Sequence, residues 1–177
     1  MVQTEGLQVL QQRYHNGIKL GFTGTREGMT IAQWVKVGNI IQLLLPKEDG
    51  QNEWHDGDCV GADTQANNIV NEINLVRTTR MFPLVVTFGH PCDKVNFRAH
   101  NFYHVQREVK PPMTRNRDIV DSVDVMIAGP KEYEDVPRGS GTWGTIRYTK
   151  RQNKPLIIVW PDGSEEWNLG NTTLLDQ

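Results

Sequence analysis

Apolar residues in this chain come in short unbroken runs separated by stretches with helical spacing. Residues 18–22, IKLGF, form the first run, a strand candidate that passes directly into TGTREG. In residues 30–45, Ile31, Trp34, Val35, Gly38, Ile41 and Leu45 recur at helical intervals and predict a helix. Thr30, followed three places later by Gln33, predicts a capping box at its start. EWHDG predicts a brief second strand. After the turn DCVGAD, the residues Ala62, Ala66, Ile69, Val70 and Ile73 mark one face of a second helix. LVVTFG, residues 84–89, reads as a buried strand, and the polar segment 90–113 as a long, partly helical loop. TRNRDIVDS predicts a short helix before the strand VDVMIAG, and KEYEDVP reads as a surface excursion. RGSGTWGTIRYTKRQNKPLIIVWPDG then predicts a last helix, the strand LIIVW and a closing turn.

Five mostly apolar strands without alternation, separated by helices, imply a parallel sheet covered on both faces. The expected fold class is α/β: a doubly wound, Rossmann-like three-layer sandwich with a mostly parallel sheet of about five or more strands. The 177 residues are expected to form a single domain, residues 1–177, with its core over about 18–163 and an extension at each end. In such sheets ligands bind beyond the carboxyl ends of the strands, where strand order reverses. TGTREG, GDCVGAD, the segment after VVTFG and GPKEYEDVPRGSGT all follow strands, so all four are expected on one edge.

Each of these loops has residues suited to an anion. In the first, Gly24 allows close approach, Thr25 offers a hydroxyl and Arg26 a forked contact to phosphate, or else a solvated charge at a tight turn. In the second, Gly57 and Gly61 bend the chain, with Ala62 following. Asp63 is either a helix cap or an acceptor for a ribose or base. Arg115 and Arg117 cannot both face inward from a helix, and they read as surface arginines bonded to Asp118 or Asp121; Asn116 is the better site candidate. The late loop is the richest. Gly139, Gly141 and Gly144 alternate with Ser140, Thr142 and Thr145 ahead of a helix, and Arg138 stands at the entrance. Trp143 either stacks on a base or wedges beneath the loop as core.

Composition narrows the field. The net charge of −2 gives no bulk attraction for nucleic acid, so an anion site must come from local placement. Two cysteines suit a reducing compartment, and no run of about 20 apolar residues spans a membrane, so a cytoplasmic protein is expected. His90, Cys92, His100 and His104 could form a zinc set, but HPC is too short for a Cys-x-x-Cys knuckle, and solvated loop histidines are the preferred reading. No metal or cofactor is expected. There is no Gly-x-Ser-x-Gly elbow.

The order GFTGTREG, HDGDCVGAD, RNRDIVDSVDVMIAGP, RGSGTWGTIRYTKRQNKPLIIVWPDG resembles the SLOG superfamily over roughly residues 18–163. That group joins DNA-processing protein A, the Lonely Guy phosphoribohydrolases and small stand-alone bacterial and phage proteins. The resemblance implies a nucleotide or nucleotide-derived ligand held by Gly139, Ser140, Gly141, Thr142, Gly144 and Thr145, with Gly24, Thr25, Arg26, Gly61, Ala62 and Asp63 opposite. Lonely Guy enzymes carry Pro-Gly-Gly-x-Gly-Thr and then a glutamate. Here Gly144 and Thr145 match the Gly-Thr pair, but Ile146, Arg147 and Tyr148 follow. The expectation is therefore a binding protein, a sensor or a sequestering protein. A nucleoside 5′-monophosphate N-glycosidase is the first alternative, with Asp63 and Arg147 as its candidate catalytic residues. Single-stranded DNA binding is the second, though neither nucleic acid nor membrane is an expected partner. By analogy with related folds, a homo-oligomer is expected.

Overall fold

The computed structural model describes residues 2–45 and 50–171. Helix α1 (Val2–Arg13) leads into β1 (Lys19–Gly24), then α2 (Ile31–Leu44), β2 (Asn52–Asp56), α3 (Ala62–Thr79) and β3 (Val85–Gly89). A single 3₁₀ turn (Val95–Phe97) precedes β4 (Val105–Gln106) and α4 (Pro112–Ser122). The chain ends with β5 (Val125–Gly129), α5 (Gly141–Arg151), β6 (Leu156–Val159) and β7 (Glu165–Asn168). The seven strands lie in the order β4-β3-β2-β1-β5-β6-β7. All neighbours are parallel except β6 and β7. This is the expected Rossmann-like three-layer sandwich. No helix of the described residues is long and apolar enough to cross a membrane.

The absence of alternation in the strands has a direct cause. In β5, Val125 and Ile127 face one core while Met126 and Ala128 face another. In β6, Ile157 and Val159 join the first core and Leu156 and Ile158 the second. The first core is closed by α1, α2 and α3, the second by α4 and α5. A strand buried on both faces has no polar side to display.

Strand order runs outward from β1 in both directions, so the reversal falls between β1 and β5, paired in register from Leu20–Val125 to Gly24–Gly129. Their carboxyl ends part to opposite faces, which opens a crevice above that point.

The edges extend the expectation. Glu165–Asn168 returns antiparallel to β6 through a turn that Gly163 makes at φ +82°, with the Gly163 amide donating to the Trp160 carbonyl at 2.8 Å. Helix α1 buries Leu10 against the first core, with Leu7 and Tyr14 packed beside it. Helix α4 begins at Pro112, two residues before the predicted helix, with proline at a position where its missing N–H costs nothing.

Candidate functional site

Above the β1–β5 junction lies a cleft of about 750 Å³. Its lining draws on all four loops that the sequence places on one edge. Gly24, Thr25 and Arg26 come from the loop after β1, Asp63 from the start of α3, Phe97 from the segment after β3, and Gly139, Ser140, Gly141 and Thr142 from the start of α5. Asn116, Gly144, Thr145 and Arg147 also line it. Gly61, Ala62, Arg138 and Trp143 do not. Gly61, at φ +87°, presses its Cα against the Arg26 carbonyl, where a Cβ would collide. The Ala62 amide donates to the Thr25 carbonyl at 3.0 Å. These two residues fasten the first loop from behind. Trp143 is buried in the second core, 6.2 Å from the Trp160 ring, so of its two readings the core role is the one observed.

The first loop does not lead into a free helix terminus. Thr30 and Gln33 form the predicted capping box, with Thr30 Oγ1 accepting from the Gln33 amide at 3.1 Å and Gln33 Oε1 accepting from the Thr30 amide at 3.1 Å. Gln33 Nε2 also donates to the carbonyls of Pro130 at 2.8 Å and Val159 at 3.0 Å, which carries the start of α2 toward β6 and away from the cleft. Within the loop, the Glu27 amide donates to Thr25 Oγ1 at 3.3 Å and the Gly28 amide to the Thr25 carbonyl at 3.1 Å. What this wall presents is therefore side chains, Arg26 above all.

The start of α5 is different. Ser140 is the cap, its Oγ accepting from the Trp143 amide at 3.2 Å. The first intrahelical bond in this turn runs from the Gly144 amide to the Ser140 carbonyl at 3.1 Å. The amides of Gly141 and Thr142 precede it, so they have no partner within the helix. They sit at the positive end of α5 beside the hydroxyls of Ser140 and Thr142. Asn116 steadies this turn, its Nδ2 donating to the Gly141 carbonyl at 3.4 Å. Arg147 does so from the other side. Its Nη1 pairs with Asp135 and donates to the Val136 carbonyl at 3.2 Å, and its Nη2 to the Pro137 carbonyl at 3.4 Å. Arg147 thus occupies its guanidinium in shaping the approach to the cradle.

Sequence reasoning misplaced the arginines of α4. Arg115 is not on the surface: it is 5% exposed and forms part of the cleft floor. Its Nη1 donates to the carbonyls of Gly57 and, at 3.2 Å, His90, while its Nη2 donates to Cys59 Sγ at 3.3 Å. Arg117 points the other way and lies over the Tyr148 ring. Neither meets Asp118 or Asp121, which bond instead to Lys110 and Tyr148. The helical turn between Arg115 and Arg117 separates them by about 200°, and the inner position wins because two loop carbonyls and the Cys59 sulfur accept from it there, with the Asp63 charge nearby. Gly57 makes the room, since a Cβ on it would overlap the guanidinium.

Asp63 is the buried carboxylate of the lining, 6% exposed. Its Oδ2 accepts from the Cys59 amide at 3.3 Å. Burial raises its pKa, and Arg115 nearby limits the rise. Burial also pushes the Cys59 thiol up to about 11. Behind the floor, Asp56 accepts from Trp54 Nε1 at 2.8 Å, the Asp58 amide at 2.9 Å and the Tyr103 hydroxyl at 2.5 Å, and burial raises it too. Asp58 takes the Asn101 amide at 2.9 Å and Arg98 Nε at 3.4 Å. Together these two carboxylates moor the polar segment 97–103 to the end of β2 and bring Phe97 to the cleft.

The histidines and Cys92 of the zinc reading are dispersed. His90 is buried rather than solvated. Its Nε2 shares a 2.9 Å hydrogen bond with His55 Nδ1, and burial pushes it down to about 3. His104 Nδ1 accepts from the Thr87 amide at 3.1 Å, Cys92 is fully buried and His100 is exposed. The described residues hold no cluster of three metal-ligating side chains.

The sequence matches no protein-family model and no curated protein. Among solved structures, the fold is similar to the X-ray structure of TM1055, a Northeast Structural Genomics Consortium target, at a TM-score of 0.53 and 12% identity. The match covers 88% of this chain and 78% of that one. What the two share is the Rossmann-like α/β fold.

Proposed function

We propose that this chain binds a nucleotide or nucleotide-derived ligand in the cleft between the start of α5 and the loop after β1, as a sensor or sequestering protein. One observation carries the reading. The Gly141 and Thr142 amides, with the hydroxyls of Ser140 and Thr142, open into a cleft of about 750 Å³ at the point where strand order reverses. The cleft is large enough for a phosphate, a ribose and a base together, and Arg26 adds a positive charge at its rim, where Lys131 is paired with Glu27. The resemblance of the loop sequences to the SLOG pattern points the same way. Polyanionic DNA is disfavoured by the acidic rim residues Glu27 and Glu132.

Calorimetric titration with nucleoside mono- and diphosphates, cyclic nucleotides and ADP-ribose is the test. Thr142→Glu sets a carboxylate where the phosphate is held and should abolish any binding seen. Absence of heat and of thermal shift with every compound would remove the proposal.

A second reading, N-glycosidic cleavage of a nucleoside 5′-monophosphate, is favoured by Asp63, a buried carboxylate on the cleft floor with a raised pKa. Release of free base from a monophosphate, lost in Asp63→Asn, would establish it. Binding without base release would leave the sensor reading alone.

A further inference from the structure

The Arg26 guanidinium lies 3.7 Å from the centroid of the Phe97 ring, close enough for face-to-face contact. Among the described residues Arg26 makes no ion pair and no side-chain hydrogen bond, although Glu27 next to it is paired with Lys131 at 2.7 Å. One face of the guanidinium is covered by the ring. The residue is nevertheless exposed and lines the cleft, so its guanidinium remains open to a ligand there.

We infer that Arg26, mounted on Phe97, is the shelf on which the planar ring of the ligand lies, and not a clamp on its phosphate. The inference rests on the nucleotide reading above and specifies how the base is recognised. A guanidinium is flat, delocalised and weakly hydrated, so it stacks on planar groups through either face. A base laid on Arg26 completes a three-layer stack of base, guanidinium and phenyl ring.

Two further observations favour this role. Phe22 and Phe97 are the aromatic residues of the cleft lining, and Phe22 is fully buried, while Trp143 is shut away in the second core. A base entering the cleft therefore has Phe97 as its aromatic support, and Phe97 is already covered by Arg26. The mounting is also firm. The Phe97 carbonyl accepts from the Val60 amide at 2.9 Å, and the Ala99 amide donates to the Asp58 carbonyl at 2.8 Å. These bonds fix the ring to the end of β2, across the cleft from the α5 cradle.

The test compares two probes, the four ribonucleoside 5′-monophosphates and ribose 5-phosphate, by calorimetry on the wild type, Arg26→Lys and Phe97→Leu. Lysine keeps the charge and loses the plane; leucine keeps the apolar volume and loses the ring. Stacking of a base is worth enough for about a ten-fold loss of monophosphate affinity in both variants, with ribose 5-phosphate affinity unchanged in both. Thermal unfolding of Phe97→Leu, run alongside, confirms that both probes see a folded protein. If Arg26→Lys binds the monophosphates as well as wild type does, the shelf is refuted. It is also refuted if wild type binds ribose 5-phosphate as tightly as the monophosphates, and the phosphate cradle then stands alone. If wild type binds neither probe, the shelf is refuted, and the nucleotide reading falls with it only if the diphosphates, cyclic nucleotides and ADP-ribose also give no heat.

Discussion

Replacing Arg115 with methionine removes a charge from the cleft floor while keeping most of the side chain's length. Two costs follow, and they differ in pH dependence. The first is the loss of donors to the Gly57 and His90 carbonyls, which lie in a site where Arg115 itself is 5% exposed. Leaving such acceptors unsatisfied costs about 1–3 kcal/mol at any pH. The second is the loss of the positive charge beside Asp63. Burial already lifts Asp63 above its unfolded value, so its proton is held more tightly in the fold. The stability tied to that proton is fully present below the unfolded pKa and is lost as pH rises through the folded one. Without Arg115 the folded value climbs further, so the loss continues to higher pH.

At pH 5 the deficit of Arg115→Met is therefore the first cost alone, and by pH 8 the total reaches about 3–5 kcal/mol, the range for leaving a buried carboxylate without the positive charge near it. In a chain of this size that corresponds to roughly 6–20 °C in Tm. Urea unfolding of wild type and variant at pH 5 and pH 8 measures both quantities. The double variant Asp63→Asn/Arg115→Met should recover the pH-dependent part and leave the rest. A deficit equal at both pH values, or no recovery in the double variant, would show that Arg115 does not serve as the counter-charge to Asp63.

Three other outcomes are expected. Thr30→Ala breaks the capping box and should cost about 1 kcal/mol by urea unfolding, with nucleotide binding unaltered because that helix start faces β6 and not the cleft. Trp143→Phe should lower Tm through a poorly filled second core yet leave nucleotide affinity by calorimetry as in wild type; a selective loss of affinity would restore the base-stacking role. Cys59, with its thiol pushed up to about 11 and its sulfur against Arg115, should resist a thiol reagent at pH 8 in the folded protein and react on unfolding, as mass spectrometry can follow.

Much of the fold is legible in the chain because its strands are covered on both sides. Runs such as VMIAG and LIIV can be nothing but buried, and their separation by helical spacing leaves few topologies. The elements that escape notice have weak local patterns. Among the described residues of α1, Leu7 and Leu10, with Tyr14 just past its end, mark an inner face, within a segment rich in glutamine. In β7 Glu165 and Trp167 face inward, Trp167 alone against the first core, and the strand covers an edge that β6 would otherwise expose.

The site is legible only where a few consecutive residues suffice to make it. The α5 cradle is such a place: Ser140 caps, the two amides after it are left over by helix geometry, and all of this is local. Arg115 is the opposite case. Its direction is decided by the carbonyls of Gly57 and His90, which lie 58 and 25 residues away in sequence. The same holds for Phe97. Nothing in DKVNFRAH marks that ring, and it reaches the cleft because Asp58, just past the end of β2, holds Asn101 and Arg98, Asp56 holds Tyr103, and the Val60 amide donates to the Phe97 carbonyl. A loop sequence can announce that an anion is welcome, whereas the surface that would select what the anion is attached to is assembled from chain segments brought together by buried carboxylates. Specificity in this cleft should therefore respond to substitutions at Asp58 and Arg98, which do not line it, as well as to those at Arg26 and Phe97, which do.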